Sequence, residues 1–135
     1  MLTRKFLTGK IHRATVTSAD VSYVGSITID RDLMEAVDFR PLEEVEIWDV
    51  TNGARFSTYC LPGERGSGII QINGAAAHLA HKGDKIIVAS YGIFDSESLG
   101  KHVVPVVIPD DNNMILRRLE YRADLANGDF EVVDL

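Results

Sequence analysis

Turn signals come too often in this chain to leave room for long helices. Asn52-Gly53, Asn73-Gly74, Lys82-Gly83-Asp84 and Pro109-Asp110-Asp111-Asn112-Asn113 divide it into short pieces. Asn-Gly is the strongest short hairpin signal, because both residues tolerate the left-handed backbone of a tight turn. Between the turns lie runs of about four to eight residues rich in Val, Ile, Thr and aromatic side chains, the composition of strands. Residues 10–17, 45–50, 55–61, 69–72, 85–91, 103–108 and 114–119 read this way. The apolar run Ile86-Ile87-Val88-Ala89 predicts a strand buried on both faces. Pro105 cannot donate to a ladder and predicts an edge for the strand that carries it. Two short helices fit between the strands. Asp30 can cap one that places Leu33, Met34 and Val37 on one side, with Pro41 beyond its end. Ala75 to His81 can form one or two turns. Pro62 to Gly68 is a loop by composition. The pattern predicts a mostly-β sandwich or barrel with few short helices. One domain covers residues 1–120, and 121–135 form an acidic, weakly patterned tail, flexible or docked on a neighbour.

The chain has 135 residues, 45% of them hydrophobic and 25% charged, enough for one core and too few for two. Its net charge is −6, and an acidic surface repels polyphosphate, which argues against nucleic acid. No apolar run reaches the ~18 residues of a membrane span, and no signal-peptide pattern follows Met1-Leu2-Thr3-Arg4-Lys5. Cys60 is the single cysteine, so no disulfide framework exists and a cytoplasmic, soluble protein is expected.

Four places carry chemical potential. Gly25-Ser26 puts a hydroxyl next to a carbonyl that no Cβ shields. A twin pair, Gly66-Ser67, has the same letters, so the dipeptide alone decides nothing. Arg55, Ser57 and Tyr59 share one strand face, with Thr58 pointing to the other. Arg55 suits a carboxylate through its planar fork, and Tyr59 can move a proton. Lys10 and His12 share a face of the first strand. Asn73-Gly74-Ala75-Ala76-Ala77-His78 lacks bulk, so its backbone N–H groups can approach a ligand closely. His78 and His81 are three apart, yet no third ligand accompanies them, and no metal is expected. Each feature also has an ordinary structural use as turn, surface charge or core.

Together these stretches resemble the pyruvoyl-dependent aspartate 1-decarboxylases. The resemblance rests on Lys10-Ile11-His12-Arg13, Tyr23-Val24-Gly25-Ser26, Trp48-Asp49-Val50-Thr51-Asn52-Gly53, Arg55-Phe56-Ser57-Thr58-Tyr59 and Ile72-Asn73-Gly74-Ala75-Ala76-Ala77-His78. They occur in the family's order and spacing over roughly residues 1 to 92. The resemblance implies a double-psi β-barrel. It implies self-cleavage between Gly25 and Ser26 into a short β chain, 1–25, and an α chain, 26–135. The Ser26 hydroxyl attacks the Gly25 carbonyl, and Thr58 assists through a hydrogen bond to that carbonyl. Elimination and hydrolysis then leave a covalent pyruvoyl group in place of Ser26, so neither metal nor pyridoxal phosphate is required.

The same resemblance implies that L-aspartate forms a Schiff base with this pyruvoyl group and loses its α-carboxylate, giving β-alanine for pantothenate and coenzyme A synthesis. Tyr59 is the matching proton donor. Arg55, with Lys10 as helper, holds the substrate carboxylates, and Thr58, Gly74, Ala75 and Ala76 line the substrate pocket. His12, Trp48, Asn73 and Ile87 support it. Family members are homotetramers with sites between subunits, and some need a helper protein to mature. Two alternatives stay open from the sequence: a non-catalytic barrel serving binding or assembly, and a pyruvoyl decarboxylase acting on glutamate.

Overall fold

The computed structural model describes all residues, Met1 to Leu135. Ten strands form one mixed sheet in the order β10-β9-β8-β1-β7-β4-β5-β3-β6-β2. In chain order the elements are β1 (Thr3–Thr15), β2 (Ser18–Asp20), β3 (Ser26–Asp30), α1 (Arg31–Ala36), β4 (Glu44–Asp49) and β5 (Arg55–Gly63). They continue as β6 (Ile70–Asn73), a 3-10 turn (Gly74–His78), β7 (Lys85–Asp95), β8 (Lys101–Pro109), β9 (Ile115–Asp124) and β10 (Asp129–Asp134). Neighbours pair antiparallel except β1–β8, β2–β6 and β3–β5, which run parallel. No helix is long and apolar enough to cross a membrane.

One face of the sheet closes on a core of Ile11, Ile27, Ile29, Ile47, Ile70, Ile72, Ile86 and Val88, each fully buried, with Leu33 and Met34 of α1 packed into it. Their every-second-residue spacing is what a one-sided core demands. A buried acid ties α1 to the loop that follows β5. Asp30 Oδ1 accepts from Asp32 N at 2.9 Å and Gly66 N at 3.1 Å, and Oδ2 accepts from Gly68 N at 2.8 Å. The expected helix cap is therefore also the anchor of the Gly66–Gly68 turn. Cys60 is fully buried, donates to Arg40 O at 3.2 Å, and has its thiol pushed up to about 11 by burial and then by Glu43. It is an inert packing residue.

Three local expectations need correction. β5 runs to Gly63, so Pro62 and Gly63 belong to a strand and not to the loop. They pair with Ile29 and Asp30 of β3. Pro105 does not lie on an edge strand, because β8 pairs with both β9 and β1. The parallel pairing with β1 is limited to Val106 and Val107, so the missing N–H of Pro105 falls just outside it. Residues after Glu120 are regular: β9 continues to Asp124, and β10 pairs back along it from Asp129↔Asp124 to Asp134↔Leu119. A Leu125–Gly128 turn with Gly128 at φ +85° closes this hairpin, which the acidic composition concealed.

β8 is apolar on both faces. Val107 enters the main core, whereas Val104 and Val106 join Leu119 in a second small cluster on the opposite side, with Leu7, Ile108 and Tyr121 against it. The C-terminal hairpin thus packs on the side of the sheet turned away from the main core.

Candidate functional site

Exposed apolar residues lead into a buried serine. Val21, Tyr23 and Val24 are largely exposed, yet Ser26 is fully buried at the first position of β3. Its partner in the antiparallel ladder with β6 is Asn73, also fully buried. Asn73 Nδ2 donates to Ser26 Oγ at 3.0 Å and to Thr28 Oγ1 at 3.3 Å. Gln71 Nε2 donates to Asn73 Oδ1 at 2.7 Å, which fixes the amide so that its NH₂ faces the serine. Because Ser26 Oγ accepts that bond, its own proton is free for another partner.

Gly74 follows Asn73 at φ +72°, in the left-handed region that glycine enters without steric cost. A Cβ there would stand 2.6 Å from Gly25 Cα, 2.9 Å from Gly25 N and 3.2 Å from Tyr23 O. The missing side chain is the space into which the Tyr23–Gly25 backbone settles. Ala75 and Ala76 continue from it in the 3-10 turn. On the other side of β3, the parallel ladder with β5 begins at Ile27↔Cys60. Tyr59 and Ser26 each stand one residue before that first pair. Gly25, Ser26, Asn73 and Gly74 form one group, with Thr58 and Tyr59 on the neighbouring strand.

The remaining predicted residues occupy the sheet face opposite the core. Trp48 pairs with Arg55 on one side and with Ile87 on the other, and Ile87 pairs with His12. Directly paired residues point to one face, so Arg55, Trp48, Ile87 and His12 make a row. Lys10, two residues from His12, lies in the next row with Ala89, Glu46 and Ser57. Neighbouring strands are about 4.8 Å apart, so Arg55 and His12 are separated by about 14 Å along the sheet. One chain does not bring Lys10 and His12 next to Ser26.

Arg55 and Lys10 form no ion pair within the chain. Aromatic rings hold both. The Arg55 guanidinium lies 4.5 Å from the Trp48 ring centre. Lys10 Nζ donates to the Tyr121 hydroxyl at 2.9 Å and lies 4.9 Å from that ring centre. Their charges stay uncompensated and open to an anion. Two polar atoms of the row, His12 Nδ1 and Trp48 Nε1, are buried with no hydrogen-bond partner. Burial, then Lys10 and Arg13, lower the pKa of His12, which keeps its ring neutral near pH 7.

Gln71, Thr28 and Tyr121 were missed from the sequence. Gln71 sits two residues before Asn73, so strand alternation alone puts both on one face. Tyr121 reaches Lys10 across 111 residues, and no local pattern signals that.

Residues 2–116 match the family model described as aspartate decarboxylase. The chain is 58% identical over 107 residues to an aspartate 1-decarboxylase of Acetivibrio thermocellus, covering 79% of this chain and 85% of that one. It is 54% identical over 112 residues to an aspartate 1-decarboxylase of a Geobacillus species, covering 83% of this chain and 88% of the relative. An aspartate 1-decarboxylase of Listeria welshimeri is 53% identical over the same shares. With the buried Ser26, the Cβ-free approach at Gly74 and the unpaired cations Arg55 and Lys10 in place, this chain belongs to the aspartate decarboxylase family.

Proposed function

We propose that this protein is an aspartate 1-decarboxylase that converts its own Ser26 into a pyruvoyl group. The carrying observation is the pairing of a fully buried Ser26, its hydroxyl held by Asn73, with a Gly25 backbone seated where Gly74 has no side chain. In the first step Ser26 Oγ bonds to the Gly25 carbonyl carbon as the C–N bond breaks, and the nitrogen takes the hydroxyl proton. Thr58, on the strand beside β3, donates its hydroxyl to the Gly25 carbonyl under this reading and stabilises the developing oxyanion. β-Elimination releases Gly25 as a carboxylate and leaves dehydroalanine. Water then expels the nitrogen as ammonia.

The residues around Ser26 fit the resulting group. At the head of β3 the Gln71–Asn73 pair aims an amide NH₂ at the Ser26 side chain, and Gly74 adds no side chain beside it. There the pyruvoyl group supplies an electron sink for the pair left when CO₂ departs. Tyr59, beside Ser26, delivers the proton to the substrate carbon. Arg55 grips a carboxylate through its fork, and Lys10 serves the other as a point charge. Thr58 and the backbone of Gly74, Ala75 and Ala76 line the pocket.

Lys10, His12 and Ile87 lie four strand spacings or fewer from β3, and a neighbouring copy would bring its own set over Ser26. The reading therefore includes a homotetramer with sites between subunits, supported by the four strand spacings between β1 and β3 in the sheet order. Its finer fold is a double-psi β-barrel, supported by three parallel strand pairs set among antiparallel ones. The setting is the cytoplasm, where the unpaired Cys60 thiol persists. The product is β-alanine, a pantothenate precursor, and a maturation helper is part of the family reading. The domain under this reading takes in the C-terminal hairpin, since β9 crosses residue 120 within the same sheet.

Intact-mass spectrometry tests it. Conversion of the 14.9 kDa chain into two fragments, the larger one blocked at its N-terminus, is expected, together with CO₂ from aspartate in preference to glutamate. Ser26→Ala should stay folded, uncleaved and inactive. Persistence of one full-length species without CO₂ release overturns the reading.

A further inference from the structure

The family-shared stretch ends at Leu116, and β9 and β10 run almost wholly beyond it. Yet the side chain that accepts a hydrogen bond from the Lys10 ammonium belongs to that appended hairpin. Tyr121 accepts a hydrogen bond from Lys10 Nζ at its hydroxyl oxygen, 2.9 Å away, with the ring centre at 4.9 Å. The ring is itself braced edge-on by Phe130 of β10, with centroids 5.9 Å apart and planes at 74°. Its base packs on the small cluster of Val104, Val106 and Leu119.

We infer that Tyr121 is a positioning residue for Lys10, so that the C-terminal hairpin tunes how tightly the substrate carboxylate is held. This rests on the reading of Lys10 as a substrate cation. The chemistry sets the sign. A free lysine side chain loses rotamer freedom when it is fixed, and Tyr121 fixes it before substrate arrives. The phenol is neutral, so it holds the ammonium without cancelling its charge, as a carboxylate partner would. Of the three ammonium protons one is committed to Tyr121, which leaves two for the substrate. A hairpin that orders the cation in this way tightens substrate binding and leaves the chemical step alone.

Tyr121→Phe keeps the ring and the fold while removing the acceptor, and Tyr121→Leu removes both contacts. The expected KM for aspartate rises about 3-fold in the first and about 10-fold in the second. In both, kcat and the extent of self-cleavage change less than about 2-fold. The deciding arm repeats both substitutions in a Lys10→Met background. A positioning role predicts no further rise in KM there, whereas a merely structural role predicts the same rise as before. NMR of lysine labelled at Cε gives a readout free of turnover. The Lys10 signal should be ring-shifted in the natural chain and in Tyr121→Phe, and should return to the ordinary position in Tyr121→Leu. Unchanged KM in both variants, a fall in kcat alone, an equal effect in the Lys10→Met background, or an unshifted Lys10 signal overturns the inference. An inactive natural chain with a shifted Lys10 signal overturns the decarboxylase reading instead.

Discussion

Gly74→Ala isolates the close approach on which the proposed self-cleavage depends. The new Cβ would meet Gly25 Cα at 2.6 Å and Gly25 N at 2.9 Å. Carbon atoms settle about 3.5–4.0 Å apart, so Gly25 has to retreat by about 1 Å. An alanine at φ +72° also carries about 1–2 kcal/mol of left-handed strain. A displacement of about 1 Å in reacting groups costs about 100-fold in rate, and that is the expected slowing of cleavage at Gly25–Ser26. Gly53→Ala separates the two effects. Gly53 stands at φ +80° with nothing within 4 Å of a Cβ, so it brings the strain without the collision. Both variants should melt a few degrees lower, and only Gly74→Ala should accumulate precursor. The assay follows loss of the 14.9 kDa species by intact mass after rapid purification. Cleavage of Gly74→Ala at the natural rate, or equal slowing in the two variants, would refute the close-approach argument.

Two further expectations concern buried acids. Asp49 is almost fully buried and faces Asp84, and burial followed by that neighbour pushes its pKa up to about 6. A raised carboxyl contributes stability that is fully present below its unfolded value near 3.8 and is lost as pH rises through about 6. Asp49→Asn keeps the Oδ1 acceptor used by Thr51 N and Asn52 N and offers Asp84 a neutral donor. Its thermal stability should gain on the natural chain between pH 4 and 6.5 by about 1–3 kcal/mol and hold that lead to pH 8; parallel melting curves across this range would exclude the shifted pair. Asp30→Ala orphans three backbone N–H groups and should cost about 2–4 kcal/mol, read as a melting point lower by about 10 °C. Asp30→Asn retains the two bonds to Oδ1 and should lose less than half as much, so equal losses would place the effect elsewhere.

Local signals carried much of the fold. Turn dipeptides and β-branched runs located β4, β5, β6, β7 and β8, and an aspartate before an amphipathic stretch located α1, because these depend on neighbours a few residues apart. Other features were not local. The register of β1 slips between His12 and Ala14, where Arg13 takes φ +68°. Strict alternation would leave Ala14 on the Lys10–His12 face; the bulge turns it into the core, where it is fully buried. In the C-terminal hairpin only the first half of β9 reads as a strand from the sequence. Leu119-Glu120-Tyr121-Arg122-Ala123 and Phe130-Glu131-Val132 do alternate, but these runs are short and charged at every second residue, and read as a tail.

The same division holds at the site. The resemblance to a known family marked Gly25, Ser26, Thr58, Tyr59, Asn73 and Gly74 as candidates, since its short motifs recur here in the same order and spacing. That Asn73 grips the Ser26 hydroxyl, that Gly74 is the hollow receiving Gly25, and that Lys10 leans on a tyrosine 111 residues away follow only from strand order. A sequence states which groups exist and which neighbours they have along the chain. Which groups meet across it is set by sheet pairing, where a shift of a single residue turns every side chain to the other face.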